Sequence, residues 1–275
     1  MAPIHDAARR GDAEALRRLL AEGFSPNAIE WTGGDLEPRR TPLHVLCRRE
    51  PVSPRDHNIK YREAYAAARG EGFAPADAMR RAAAAVGDLD GMSGRVACFK
   101  LLRDAGANLG ATDAVDYTPL HHSASRADVE MVSLLIQAGV NVNVTSRDGF
   151  TPLHEAARNL FGSAVGSAAD CVDLLIKAGA AVNVKASGWT PLALALNGGH
   201  RRMLPLFLRA GAEIPGYYSP MPNPYILRVQ SAGGFEKYAQ AHLARVTKIF
   251  ESTLGLDARP ARLVAEFWLL HAGYY

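Results

Sequence analysis

The stretch Thr118-Pro119-Leu120-His121 decides the fold of this 275-residue chain, because it returns as Thr151–His154 after 33 residues. Related tetrads stand at Ala2–His5 and Thr41–His44, and Thr190–Ala193 differs from the pattern in its last residue. A motif that returns at this period predicts stacked supersecondary units, each of which buries its apolar face against the next.

One unit can be followed from Thr118 to the hairpin loop that ends it. Thr118 stands at a helix N-cap, and Pro119 takes the first helical position, where its missing N–H costs nothing. Apolar residues three and four apart predict a second, antiparallel helix, which Gly139 ends. Residues 140–149 then form an extended hairpin loop. The apolar positions of the second helix are Met131, Leu134 and Leu135.

The tetrad and its period resemble the ankyrin repeat. This resemblance implies an all-α solenoid of helix-turn-helix units joined by hairpin loops. It implies that each tetrad histidine bonds the adjoining loop, so the histidines are not predicted to be metal or catalytic sites. It also implies that hairpin tips and the exposed side of the first helices bind another protein.

Five repeats are expected in residues 1–216, at about 1–40, 41–117, 118–150, 151–189 and 190–216. Residues 51–93 have the composition of a helical insertion in repeat two, either a solvated elaboration or a recognition element. Smaller insertions enlarge the first hairpin, near residues 30–38, and repeat four, near residues 161–167. Pro205 falls inside the last expected second helix and predicts that this helix is bent or short.

Residues 217–275 are predicted to form a helical tail outside the repeats. An irregular connector at 217–224 precedes helices over 234–254 and from near Pro260. The tail is expected to cap repeat five. Alternatively, Pro260–Phe267 resembles the helix opening of the F-box-like and SOCS-box tails of ubiquitin-ligase adaptors, although Arg259 stands where those tails carry leucine.

Composition and charge argue against nucleic-acid binding, membrane spanning, secretion and disulfide or zinc sites. The net charge of +3 is too small to indicate nucleic acid, and no apolar run approaches the ~18 residues of a membrane span. The start of the chain does not have the pattern of a secretory signal. Cys47, Cys98 and Cys171 lie far apart, which argues against disulfides and zinc. We expect a monomeric intracellular protein, cytoplasmic or nuclear, without cofactor or metal.

Catalysis is not expected either. The chain has no G-x-x-x-x-G-K, G-x-S-x-G or H-E-x-x-H motif and no G-x-G-x-x-G after a predicted strand. Stacked helix pairs also offer no deep cleft in which acids and bases converge.

Candidate binding residues fall in two columns. The residue before each of the last three tetrads is aromatic, which suits an interface anchor or the packing of the loop. Seven and eight residues after the start of a tetrad, arginines recur on one concave side, where they suit carboxylate or phosphate groups. An acidic protein segment fits them better than nucleic acid. The predicted partner-binding set is Trp31, Arg48, Arg49, Tyr117, His122, Arg126, Arg147, Phe150, Glu155, Arg158 and Trp189.

The sequence therefore predicts a non-catalytic protein–protein interaction scaffold. The alternative is a substrate-recognition adaptor of a ubiquitin ligase, with the tail recruiting the ligase.

Overall fold

The computed structural model describes residues 3–30, 39–48, 92–158, 165–215, 223–254 and 257–271. These residues form thirteen α-helices, one 3₁₀ turn and two isolated antiparallel bridges, with no β-strand among them. The all-α prediction is thereby confirmed. The chain divides into two compact units, residues 1–141 and 142–275.

The first unit holds three helix pairs. They are α1 (Pro3–Arg10) with α2 (Ala13–Ala21), α3 (Pro42–Arg48) with α4 (Met92–Asp104), and α5 (Pro119–Ser125) with α6 (Val129–Gln137). The short first helices pack in a row, α1 on α3 and α3 on α5, while α2 packs on α4. Their core is closed by fully buried side chains, among them Leu16, Leu43, Phe99 and Leu120.

The second unit contains two further pairs and the tail. The pairs are α7 (Pro152–Arg158) with α8 (Val165–Lys177), and α9 (Pro191–Asn197) with a 3₁₀ turn (Arg201–Met203) and α10 (Leu204–Arg209). The tail helices are α11 (Pro224–Ser231), α12 (Phe235–Leu254) and α13 (Ala258–His271). α7 packs on α9, and α12 contacts α10, α11 and α13.

The ends of the helices follow the predicted signals. Thr118 is the N-cap of α5, and its side chain accepts the backbone N–H of His121. Gly139 follows α6 at φ 78°, and its N–H donates to the Ile136 carbonyl across 2.9 Å. A residue with a side chain is strained at that φ, which explains why glycine stands there.

Pro205 shortens the last second helix, as predicted. It lies in the first turn of α10, where the missing N–H would have no intrahelical partner. The residues before it form the 3₁₀ turn instead of a further α-helical turn, and α10 is left with six residues.

The tail has one helix more than the sequence indicated. The two predicted helices are present as α12 and α13, but α11 was missed because Pro224 was assigned to the connector. Asn223 caps α11 by accepting the Tyr225 N–H at 2.9 Å. Val246 of α12 packs with Ala265 of α13, whereas Ile249 of α12 is exposed.

Several predictions concern residues outside the described ranges. Outside the described ranges lie residues 51–91 of the insertion predicted over 51–93, residues 31–38 of the enlarged first hairpin, residues 161–164 of the insertion predicted over 161–167, and residues 217–222 of the connector predicted over 217–224. The candidate residues Trp31 and Arg49 also lie outside them.

Candidate functional site

The tetrad histidines are used inside the fold. In the His44 ring, Nδ1 accepts the Thr41 backbone N–H at 3.2 Å, so Nε2 carries the proton and donates to the Tyr117 carbonyl at 3.0 Å. His154 repeats this arrangement: its Nδ1 accepts the Thr151 backbone N–H, and its Nε2 donates to the Trp189 carbonyl at 3.2 Å. Burial lowers the pKa of His44 to about 4, and that of His154 also falls. The predicted structural role of these histidines is confirmed.

Two of the three aromatic candidates lie against the histidine of their own tetrad. The Tyr117 ring stacks on His121 with centroids 5.0 Å apart, and Phe150 meets His154 edge-on at 5.6 Å. Both rings are only partly exposed. Loop packing, one of the two roles left open for this column, therefore accounts for part of their surface.

Trp189 differs because its tetrad ends in Ala193 and offers no histidine ring beneath it. Its backbone is fixed by two hydrogen bonds with Ala186, each 2.9 Å, across a two-residue turn. Ser187 and Gly188 hold positive φ in that turn, as a type I′ hairpin requires. The side chain stays 41% exposed. A rigid hairpin thus presents a large aromatic ring to solvent.

Three other candidates of the second unit come together. Arg158 lies over the Phe150 ring, with Cζ 5.2 Å from the centroid, and approaches the Glu155 carboxylate to 3.5 Å. Glu155 is buried, and Arg158 places its cation between this carboxylate and the face of the Phe150 ring. Arg147 is exposed in the hairpin that precedes α7.

In the first unit, His122 forms a buried pair with Asp113. Its Nε2 lies 2.9 Å from Asp113 Oδ2, and Asp113 Oδ1 accepts the N–H groups of Val115 and Tyr117 at 3.1 and 3.0 Å. Burial alone would raise the pKa of Asp113, but these hydrogen bonds hold it at about 2. Burial also lowers the pKa of His122, and Arg48 and Arg40 act in the same direction.

The charges of two arginines, Arg48 and Arg40, act on His122, and that of a third, Arg126, acts on Arg48. Arg48 ends α3, Arg126 caps the neighbouring helix α5, and Arg40 stands at the bridge that precedes α3. The pKa of the Arg48 guanidinium is lowered by burial, and then by the positive charges of Arg40 and Arg126. The structure thus brings together three predicted site residues, Arg48, His122 and Arg126.

Sequence reasoning missed Arg40 and Asp113 as members of this cluster. The sequence did carry a signal for Asp113, because the preceding hairpin has another acid, Glu30, at the matching position. Glu30 pairs with Arg9 at 3.1 Å. An acid at this hairpin position binds a basic side chain of a first helix.

Metal binding, thiol reactivity and membrane crossing find little support within the described ranges. There, no group of three or more His, Cys, Asp and Glu side chains could hold a metal ion. The three cysteines are buried thiols, and burial raises the pKa of Cys47 to about 12. None of the helices in that part of the chain is long and apolar enough to cross a bilayer.

The tail contributes a groove of about 770 Å³. Apolar and charged side chains from α10, α12 and α13 line it. The lining residues include Leu208, Arg209, Phe235, Leu243 and Glu266. Leu227, Ile249 and Leu263 of the three tail helices are exposed outside it.

Comparison with known families finds two matches. A family model of ankyrin repeats in three copies matches residues 84–165, and a single ankyrin repeat model matches residues 148–186. The predicted ankyrin resemblance is confirmed. Neither match reaches residues 217–275, so the resemblance of the tail to ligase-recruiting boxes stays a prediction. The comparison with curated proteins gave no match.

Proposed function

We propose that this chain, which its family matches identify as an ankyrin-repeat protein, recognises a segment of another protein. The binding surface in this proposal consists of the hairpin tips and the first helices. Ankyrin repeats are protein–protein interaction modules and are typically non-catalytic. The proposal adds where on this chain the partner binds and with which residues.

The exposed ring of Trp189 carries the proposal. Large aromatic side chains are frequent among the residues that dominate binding energy, and they act best on a backbone that binding does not need to order. The hairpin of Trp189 meets that condition, because two backbone hydrogen bonds and the His154 bond to its carbonyl hold it.

Polar groups beside the aromatic positions support the same role. In the second unit Arg158 and the exposed Arg147 lie near Phe150 in the chain, and in the first unit the charge of Arg48 acts on His122, while the charge of Arg126 acts on Arg48. Arginine beside aromatic residues is typical of interfaces. We propose that these residues contact the partner, and that acidic side chains of the partner face the arginines.

Photo-crosslinking tests the location. The photoreactive residue p-benzoylphenylalanine is placed at position 189 in one variant and at position 24 in another. Phe24 is a matched control, since it is also an aromatic residue and is 39% exposed, but it follows a second helix, α2. We expect a crosslink to one dominant protein from position 189 only.

Equal crosslinking from both positions would show that the hairpin tip is not the binding surface. If neither variant formed a crosslink, this result would argue against the proposed location as well.

The tail is a second candidate surface, because it exposes Leu263 at 62% within the stretch that resembles ligase-recruiting boxes. If it recruits a ligase, the variant Leu263→Asp should lose cullin-type scaffold proteins in affinity capture while other partners remain. If scaffold proteins are captured equally by the variant, or by neither form, the tail serves only as a cap on repeat five.

A further inference from the structure

The tail helix α12 carries a row of positive charges on one exposed side. Lys237, Arg245 and Lys248 are exposed on this helix, and Ala241 between them is exposed too. At 3.6 residues per turn, all three cations lie within about 40° of Ala241 around the helix axis. The acidic residues of α12 lie further round the helix, at least about 80° from Ala241. These four residues form the α12 basic face.

The cations of this face have no carboxylate partner within the described part of the chain. There, no acidic side chain pairs with Lys237, Arg245 or Lys248. The neighbouring helix α13 differs, because its Arg262 pairs with Glu266 at 2.9 Å. From Lys237 to Lys248 the charges extend over about 17 Å of the helix. Such a row of like charges favours an anionic ligand.

Other sides of α12 are occupied by its neighbouring helices. Val246 packs with Ala265 of α13, and further apolar side chains of α12 lie against this pair. Towards α11, the Tyr238 ring meets the Tyr225 ring edge-on, with centroids 5.5 Å apart. The helix is therefore held in place before a partner binds, so binding needs little ordering of this surface.

The same packing selects among anionic ligands. A helix that binds a membrane surface buries a large apolar face in the lipid, and the apolar side of α12 is packed against α13. Among the described side chains of α12, Ile249 is the one large apolar group that stays exposed, at 53%. Tight nucleic-acid binding draws on about 6–10 phosphate contacts, whereas this face offers three cations. Carboxylates of a protein segment fit the face better.

We propose that the α12 basic face docks an acidic α-helix of another protein. Ala241, a small side chain at the centre of the face, lets a partner helix approach, since helices pack about 8–10 Å apart according to the side chains between them. Charged residues beside such a contact set the choice and the orientation of the partner helix. Carboxylates three and four residues apart on the partner match the cations. This inference goes beyond the proposed function, which places binding at the hairpin tips and first helices.

The test uses the full chain and a designed probe, a fluorescein-labelled helical peptide of about 18 residues. The peptide consists of alanine and glutamine, with glutamates three and four residues apart on one face. In the control peptide, glutamine replaces each glutamate. Binding is followed by fluorescence anisotropy at neutral pH. We expect the glutamate peptide to bind about tenfold more tightly than the control, and this difference to shrink as salt is raised from about 50 to about 200 mM.

A charge-reversed variant assigns the binding to this face. Arg245→Glu combined with Lys248→Glu should weaken binding of the glutamate peptide at least about tenfold, because attraction becomes repulsion. Both side chains are exposed, so the variant should fold, which the amide NMR spectrum reports. Lys237→Ala is a second, milder variant, with an expected loss of about threefold. Arg201→Glu combined with Arg202→Glu is the control, since it changes the net charge equally at two exposed arginines of the 3₁₀ turn.

Equal affinity for the two peptides would overturn the proposal, and so would unchanged affinity in the charge-reversed variant. Equal weakening in the Arg201 and Arg202 control would show that net charge alone attracts the peptide. Tighter binding to phosphatidylserine vesicles or to a DNA duplex than to the glutamate peptide would assign the face to another class of ligand. None of these results depends on the crosslink expected at position 189, so the two proposals can fail separately.

Discussion

Asp113 Oδ2 lies 2.9 Å from His122 Nε2, and this contact ties a hairpin loop to the helix that follows it. The same carboxylate holds its hairpin through the N–H groups of Val115 and Tyr117. One buried side chain thus fixes the loop, the first helix and the position of the neighbouring aromatic residue. Stability and the proposed binding surface are linked through it.

Asp113→Asn should lower the free energy of unfolding by about 1–2 kcal/mol at pH 7. The folded protein holds the pKa of Asp113 at about 2, below its usual 3.8. The stabilisation is therefore present above pH 3.8 and is lost as pH falls towards 2. Urea unfolding of both proteins between pH 7 and pH 3 should show a difference that shrinks at the acidic end. A constant difference would show that the charge of Asp113 does not contribute.

His44→Gln should make stability less sensitive to mild acid. The pKa of buried His44 is lowered from 6.5 to about 4, so the unfolded chain takes up this proton first. The stability contributed by neutral His44 is complete above pH 6.5 and falls as pH decreases towards 4, by about 2 kcal/mol at pH 5. Unfolding curves recorded from pH 7.5 to pH 5 should be flatter for the variant, whatever its stability at pH 7.5. Parallel curves would contradict the assignment.

Asp128→Asn should be the most destabilising of these substitutions, at about 3–5 kcal/mol. Arg95 of α4 is 5% exposed and pairs with the Asp128 carboxylate at the start of α6. Asparagine retains an oxygen for the cap bond to the Met131 N–H, so the loss reports the charge left on buried Arg95. Glu14→Gln is the control, because its pair with Arg17 is exposed and should contribute less than about 1 kcal/mol. Similar unfolding midpoints for both variants would refute this account.

Asn143→Ala should cost about 1–2 kcal/mol, since two hydrogen bonds between successive hairpin loops are lost. Asn143 Nδ2 donates to the Gly179 carbonyl at 3.1 Å, and its Oδ1 accepts the Ala181 N–H at 2.8 Å. Thermal unfolding measures the loss, with Lys177→Ala, which removes an exposed pair with Asp173, as the control. An unchanged melting temperature in the asparagine variant would show that water replaces both bonds. Asn27 and Asn183 make the same pair of bonds in their own units.

Most of the fold could be predicted because its signals are local. Thr118 and Pro119 start a helix by backbone chemistry, Gly139 ends one, and the burial of Met131 follows from helical spacing. The helix α11 was missed for the same reason, since the capping signal at Asn223 lay within a Pro- and Tyr-rich stretch. The Pro- and Tyr-rich composition predicted an irregular connector there, and the helix-start signal of Asn223 was not used.

The candidate site could be predicted only in part, because its chemistry depends on neighbours far apart in the chain. Arg48 and Arg126 lie at the ends of α3 and α5, which pack together, yet nothing near Asp113 in the sequence shows that its carboxylate pairs with His122. Trp189 is exposed because Ala193 leaves no histidine ring beneath it. The sequence alone did not indicate this, since the comparison depends on Tyr117 and Phe150 lying on their own histidines.

Calorimetric titration of the Trp189→Ala variant with the crosslinked partner shows whether the hairpin tip of Trp189 contributes to binding. We expect binding to weaken about 10- to 100-fold relative to the unaltered chain, with the melting temperature retained and with Phe24→Ala binding normally. Unchanged affinity in a folded Trp189→Ala variant would contradict the claim that the hairpin tips bind the partner.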